Sequence, residues 1–278
     1  MDEIKTSDIS AENRAEILNI IENFRLMDDT FMSKVFEDKA CAELLLRVIL
    51  NRDDLTVVRV VSQFELKNLQ GRSARLDIYA VDEHGKQYDV EVQRSDDGAA
   101  PRRARYNSSL LDANLLNPGD KFDELPESYI IFITEHDVLK GGKPLYTVNR
   151  TISELDHAIF TDGSHIIYVI GEIRNGTALG ELMQDIFCKD PREMHYKVLS
   201  DRAGYFKKDK EGVDTMCKLV EDYAEKRARQ AAELASNERA VRMANNLWNK
   251  GERDLQQIAD LTDLPLDEVK KLFEGKTA

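Results

Sequence analysis

Hydrophobic residues change their spacing several times along this chain, and each change predicts an element. Met1 to about Arg25 is polar with scattered apolar positions, an N-terminal arm leading into a helix. From Asp38 to Asn51, Ala42, Leu45, Leu46, Ile49 and Leu50 recur at helical spacing, which predicts a core-facing helix. Leu55 to Leu66 is rich in valine and reads as a strand. Arg75–Val81 and Gln87–Gln93 then alternate apolar and polar residues around Glu83-His84-Gly85, a three-residue hairpin loop with Gly85 at the position of positive φ. Pro101 suits the first turn of a helix running to about Asn117, where Asn117-Pro118-Gly119 ends it. Ser128 to Thr134 is apolar on both faces, as in a central strand. After the Gly141-Gly142 turn and an irregular segment, His165 to Ile170 reads as a further strand.

Beyond about Gly176 the pattern is helical only. Val213, Val220, Leu234, Val241 and Trp248 keep a seven-residue spacing with Cys217, Ala224 and Ala231 at the alternate positions, and Arg227, Glu238 and Asn245 interrupt that seam, so a long regular coiled coil is not expected. Packing on the core or on a second subunit is expected instead, which leaves a homodimer through these helices open. Asp254 to Phe273 forms a helix-turn-helix-like pair broken at Leu264-Pro265. Asp267 and Glu268 open its second helix and would be repelled by phosphate, so the pair reads as structural.

Composition narrows the class without choosing a function. The chain has 278 residues, 42% hydrophobic and 33% charged, which suits one or two globular domains. No apolar run approaches the roughly 18 residues of a membrane span, and the acidic N-terminus does not read as a signal peptide. Cys41, Cys188 and Cys217 are isolated, which indicates neither a zinc knuckle nor a disulfide framework, and a reducing cytoplasm is the default. The net charge of −13 argues against nonspecific coating of DNA, but allows binding at a cleft where positive charge gathers. The histidines form no metal or triad pattern, and phosphate-cradling glycine loops and serine elbows are absent.

The hairpin carries the chemistry. Asp89, Glu91 and Gln93 share one strand face, and counting outward from the turn brings Asp77 opposite Glu91. Directly opposed residues place their Cβ atoms roughly 4.5–5.5 Å apart, so the two carboxylates repel unless a proton or cation joins them. That is the arrangement of a divalent metal site. The alternative is a solvated acidic face neutralised by Arg75 or Lys86.

Asp77, followed fourteen positions later by Glu91-Val92-Gln93, resembles the PD-(D/E)xK nucleases, and among them the Rpn-type recombination-promoting nucleases or putative transposases. The likeness extends to Leu26-Met27-Asp28-Asp29-Thr30-Phe31, Lys34-Val35-Phe36, Arg102-Arg103-Ala104-Arg105-Tyr106 and Tyr129-Ile130-Ile131-Phe132-Ile133, and covers roughly residues 25–175. It implies an α/β fold with a restriction-endonuclease-like core of helix, three-strand meander, helix and strand. Residues 26–175 would be the nuclease-like domain, 1–25 the arm and 176–278 a helical C-terminal region. It implies a metal-dependent DNA endonuclease linked to recombination or mobile DNA. Asp77 and Glu91 would hold Mg²⁺ or Mn²⁺, with the Val92 carbonyl as a further oxygen ligand. Gln93, where most of the superfamily has lysine, would orient the phosphate or water. Glu65 is the candidate for an additional upstream acid, with Glu43 behind it. Arg102, Arg103 and Arg105 would clamp DNA phosphates, unless they pair with Asp96 and Asp97. The competing reading is a catalytically inactive nuclease fold that binds DNA or protein through its helical tail. The neutral Gln93 and the acidic charge favour it; the two acids favour the enzyme.

Overall fold

The computed structural model describes residues 11–68, 71–94 and 96–274, without the side chains of residues 11, 12, 96 and 97. Three helices, α1 (Ala11–Asn23), α2 (Asp29–Val35) and α3 (Lys39–Leu50), open the chain. Asp38 starts α3 by accepting from the Ala40 and Cys41 amides at 3.0 and 3.1 Å, and Asn51 ends it in the left-handed conformation at φ 51°. Its apolar stripe is buried as the spacing predicts.

An antiparallel meander follows, β1 (Val57–Leu66), β2 (Ala74–Asp82) and β3 (Gln87–Gln93). The β2–β3 turn has Gly85 at φ 78°, and Asp82 Oδ1 accepts from the His84 and Lys86 amides at 2.9 Å each. The register runs Val81 opposite Gln87 to Ile78 opposite Val90. The ladder ends there, with Asp77 and Glu91 the next residues outward on the two strands.

Helix α4 (Pro101–Ala113) then crosses the sheet to β4 (Ser128–Thr134), which lies parallel to β3. A parallel pair requires such a crossover, and Pro101 sits where a missing amide costs nothing. The helix stops at Ala113 rather than near Asn117, because Asn114 and Leu115 turn back onto the Leu111 and Asp112 carbonyls before the proline is reached. β4 is buried on both faces from Ile130 to Thr134.

Between β4 and the next core strand the sequence reads as irregular, yet the chain forms β5 (Leu145–Val148) and a small hairpin of β6 (Thr151–Ile152) and β7 (Ala158–Ile159). These strands are too short for period-two alternation to register. β8 (Ser164–Ile170) pairs parallel to β4, and β5 pairs antiparallel on its outer side. The six-stranded sheet therefore runs β1-β2-β3-β4-β8-β5. Helix, meander, helix and strand stand in the order expected of the restriction-endonuclease-like core. Beneath α4 the core holds Tyr79, Ala99, Ala104, Leu110, Leu111, Ile130, Phe132 and Tyr168.

Among the described residues, every regular element after β8 is helical, including α5 (Ala178–Phe187), α6 (Lys197–Lys208), α7 (Lys210–Asn249), α8 (Leu255–Thr262) and α9 (Leu266–Phe273). The chain forms two compact units, Met1–Cys217 and Lys218–Ala278. Helices α5 and α6 belong to the first, where both pack on α3. The second has its own small core, in which Trp248 stacks on Phe273 at 4.3 Å with Ala244, Ile258, Ala259, Leu264 and Val269 around them.

Candidate metal and catalytic site

Strand β3 places Glu91 and Asp89 on the face that α4 covers. Both are fully buried, at 0% exposure. The acidic face is therefore not solvated, as a hairpin seen alone would suggest, because the crossover helix closes over it. Asp89 Oδ2 accepts from Asn107 Nδ2 of α4 at 3.2 Å, while Asp89 Oδ1 and Glu91 Oε1 have no hydrogen-bond partner. Buried carboxylate oxygens left so are costly, of order 1–3 kcal/mol or more each.

Across the register, Asp77 Oδ2 accepts from the Val92 amide at 3.0 Å and Oδ1 from Gln63 Nε2 at 3.4 Å. Val92 thus meets the site through its N–H. Burial pushes the Asp77 carboxyl up to about 6, and the charge of Asp29 adds to the rise. Burial likewise pushes Glu91 up to about 7, with the Asp77 charge second and the Arg103 guanidinium opposing. Asp89 is raised well above the carboxylate range, first by burial and then by Glu91. Three acids crowded in low dielectric resist ionising together.

Asp29 is an acid whose charge reaches Asp77 and to which the sequence assigns no role. It opens α2, which packs on β1 and β2, and it is exposed yet close enough to Asp77 to act on it electrostatically. Its neighbour Asp28 is tied elsewhere, to Arg94 Nη1 at 3.1 Å and to the Arg25 amide at 2.8 Å. The signal available was the Asp28-Asp29 pair at a helix start. Nothing local could say which of the two acts on Asp77.

Glu65 is exposed and stands opposite Arg75 across β1 and β2; no contact among the described residues joins it to Asp77 or Glu91. Glu43 is committed to structure, with Oε2 accepting from the Val57 amide at 2.9 Å and Oε1 bound to Arg47 at 2.9 Å. Gln93 donates from Nε2 to Glu91 Oε2 at 3.2 Å. The three arginines of α4 divide. Arg102 and Arg105 are exposed, whereas Arg103 turns inward, donating to Glu91 Oε2, to Gln93 Oε1 at 3.0 Å and to the Gly98 carbonyl at 2.9 Å. The side chains of Asp96 and Asp97 lie outside the described residues. Tyr106 is exposed, and its hydroxyl donates to the Arg72 carbonyl and accepts from Asn68 at 3.2 Å, tying α4 to the β1–β2 connection.

Among the described residues no group of three or more His, Cys, Asp or Glu side chains is arranged to hold a metal ion. The donor set nevertheless suits a hard cation. A small divalent ion keeps several waters and takes one or two carboxylates, with substrate phosphate supplying the rest. Asp77 and Glu91 are two opposed carboxylates, and the unpartnered Glu91 Oε1 is an acceptor that such a cation would satisfy.

A family model described as PD-(D/E)XK nuclease family transposase matches residues 32–179, a little over half of the chain. Asp77, Glu91, Gln93 and the α4 arginines all fall within that span. Searches among curated proteins and among solved structures found no significant match.

Proposed function

The chain belongs to the PD-(D/E)XK nuclease family transposases, and from that premise we propose that it is a divalent-metal-dependent DNA endonuclease of the Rpn type, cytoplasmic and linked to recombination or mobile DNA. Membership gives a nuclease- or transposase-related function. The observation that carries the finer reading is the pair Asp77 and Glu91, one residue beyond the Ile78–Val90 end of the β2–β3 ladder, both raised in pKa by burial and Glu91 further by the Asp77 charge. A purely structural pair would gain nothing from such crowding, whereas a cation would stabilise it.

Asp77 and Glu91 would hold Mg²⁺ or Mn²⁺, with Asp29 as an outer acid and the Val92 carbonyl as a further oxygen. A bound ion of this kind supplies charge at the phosphate oxygens and lowers the pKa of a water. Gln93, already bonded to Glu91, orients the attacking water or the phosphate through its amide; being neutral, it neither takes a proton nor adds charge. Arg102 and Arg105, exposed on α4, contact the DNA backbone with guanidinium forks that match phosphate oxygens.

The test is direct. Purified protein incubated with supercoiled plasmid should yield nicked or linear DNA with Mg²⁺ or Mn²⁺ and none with EDTA. The competing reading, a nuclease fold that binds without cutting, draws on the neutral Gln93. Plasmid that is retarded on a gel but uncut in both metals would favour it.

A further inference from the structure

Arg103 is the one α4 arginine that does not face solvent fully, and two of its three hydrogen bonds reach β3 while the third goes to the turn just after it. The guanidinium reaches Glu91 Oε2, Gln93 Oε1 and the Gly98 carbonyl, and its carbon lies 5.8 Å from the Phe132 ring centroid. Glu91 is wholly buried, while the Arg103 side chain is 38% exposed. The cation therefore has a path to solvent that the carboxylate lacks. Gln93 closes the triangle, donating to the same Glu91 oxygen that Arg103 holds.

We infer that Arg103 and the catalytic divalent cation are alternative partners of Glu91. In the metal-free protein the guanidinium holds Glu91 and Gln93 in place; when a cation takes Glu91, Arg103 leaves Oε2 and its positive charge becomes available to a DNA phosphate. The inference rests on the metal-site reading above and adds a regulation to it. Even with the ion at the unpartnered Oε1 and the guanidinium at Oε2, two positive charges on one buried carboxylate repel in low dielectric, so simultaneous binding is disfavoured. Arginine also stays charged at all relevant pH, so the cation cannot displace it by waiting for it to lose a proton. The exchange makes Arg103 a positioning residue of the resting site. It also couples the site to substrate, because a phosphate that draws Arg103 outward frees Glu91 for the ion.

The experiment is calorimetric titration of Mn²⁺ into the full chain without DNA, for wild type, Arg103→Ala and Arg103→Lys. Competition predicts that Arg103→Ala binds Mn²⁺ at least about fivefold more tightly than wild type, a factor worth about 1 kcal/mol. Arg103→Lys keeps the charge but not the fork that spans Glu91 and Gln93, so it should also bind more tightly, by a smaller factor. It further serves if the alanine variant does not fold. A merely structural arginine predicts the opposite, weaker binding as the site loosens. In parallel, ¹⁵N-arginine NMR of the wild type should show restrained Arg103 side-chain N–H signals that become mobile on saturation with Mg²⁺. If wild type binds Mn²⁺ and neither variant binds it more tightly, or if the Arg103 signals do not change, the exchange is overturned and the metal site stands. If no variant binds Mn²⁺, the metal site falls and the exchange with it.

Discussion

Glu91 sits between an aspartate that raises its pKa and an arginine that opposes the rise, and that balance sets what can be measured at single residues. In the folded chain Asp77 and Glu91 hold protons that the unfolded chain releases near pH 4. Their contribution to stability is therefore fully present below about pH 4 and is lost as pH rises through about 6 and 7. Thermal melts of the metal-free protein from about pH 5 to 7.5 should show this fall, and Asp77→Asn combined with Glu91→Gln should flatten it. Metal affinity should rise over the same interval, because carboxylate ligands must lose their protons to bind. Asp77→Asn keeps an acceptor for the Val92 amide and removes a repulsion that is present once both acids ionise, so above about pH 7 the melting temperature without metal should hold or rise; a large drop would show that the Asp77 charge is structural. Gln93→Ala should slow cleavage while Mn²⁺ still binds by calorimetry, since the amide orients and does not ligate. Gln93→Lys, the residue most of the superfamily carries, would bring its ammonium against Arg103 and lose the acceptor that Arg103 uses. Gly98 offers a finer probe. A Cβ there would stand 2.0 Å from Gln93 Oε1, the far end of a flexible side chain. Gly98→Ala should thus displace the Gln93 amide and slow cleavage severalfold with little change in melting temperature; an unchanged rate would mean that the Gln93 position is immaterial.

Helix α4 does two things at once, and this is what the sequence shows least clearly. Inward, Asn107 holds Asp89 and Arg103 holds Glu91; outward, Arg102 and Arg105 face solvent. Replacing Arg102 and Arg105 with Ala should lower the slope of log K against log salt for duplex DNA by roughly 0.9 per lost phosphate contact. An unaltered slope would remove these arginines from the DNA surface. The hairpin is legible because period-two alternation and a glycine turn are local signals, and they fix the register from Val81–Gln87 to Ile78–Val90. The burial of the acids is not, since it depends on a helix that arrives after the strand has ended. For the same reason Asp29 went without a role and Arg103 was grouped with its exposed neighbours. Glu65 lies just ahead of the hairpin in sequence, whereas Asp29, whose charge adds to the rise of Asp77, comes from α2, far off in sequence. Short β5, β6 and β7 escaped because two to four residues carry no periodicity.

At the scale of the whole molecule, a net charge of −13 means that DNA is repelled except where positive charge is concentrated. Among the described residues no helix is long and apolar enough to cross a membrane. The first unit contains the sheet and every residue assigned to the site, while the second has a separate core around Trp248 and Phe273. Its last helix opens with Asp267 and Glu268. Catalysis should therefore depend on the acids of the first unit alone, and that is the claim on which the rest stands. The measurement that tests it most directly is the Mg²⁺-dependent cleavage rate of supercoiled plasmid by Glu91→Ala against wild type, at equal protein and with both shown folded by circular dichroism. The account predicts a loss larger than the about 10–100-fold that removing a mere supporting partner of a ligand costs. A variant that cuts plasmid at the wild-type rate would contradict it.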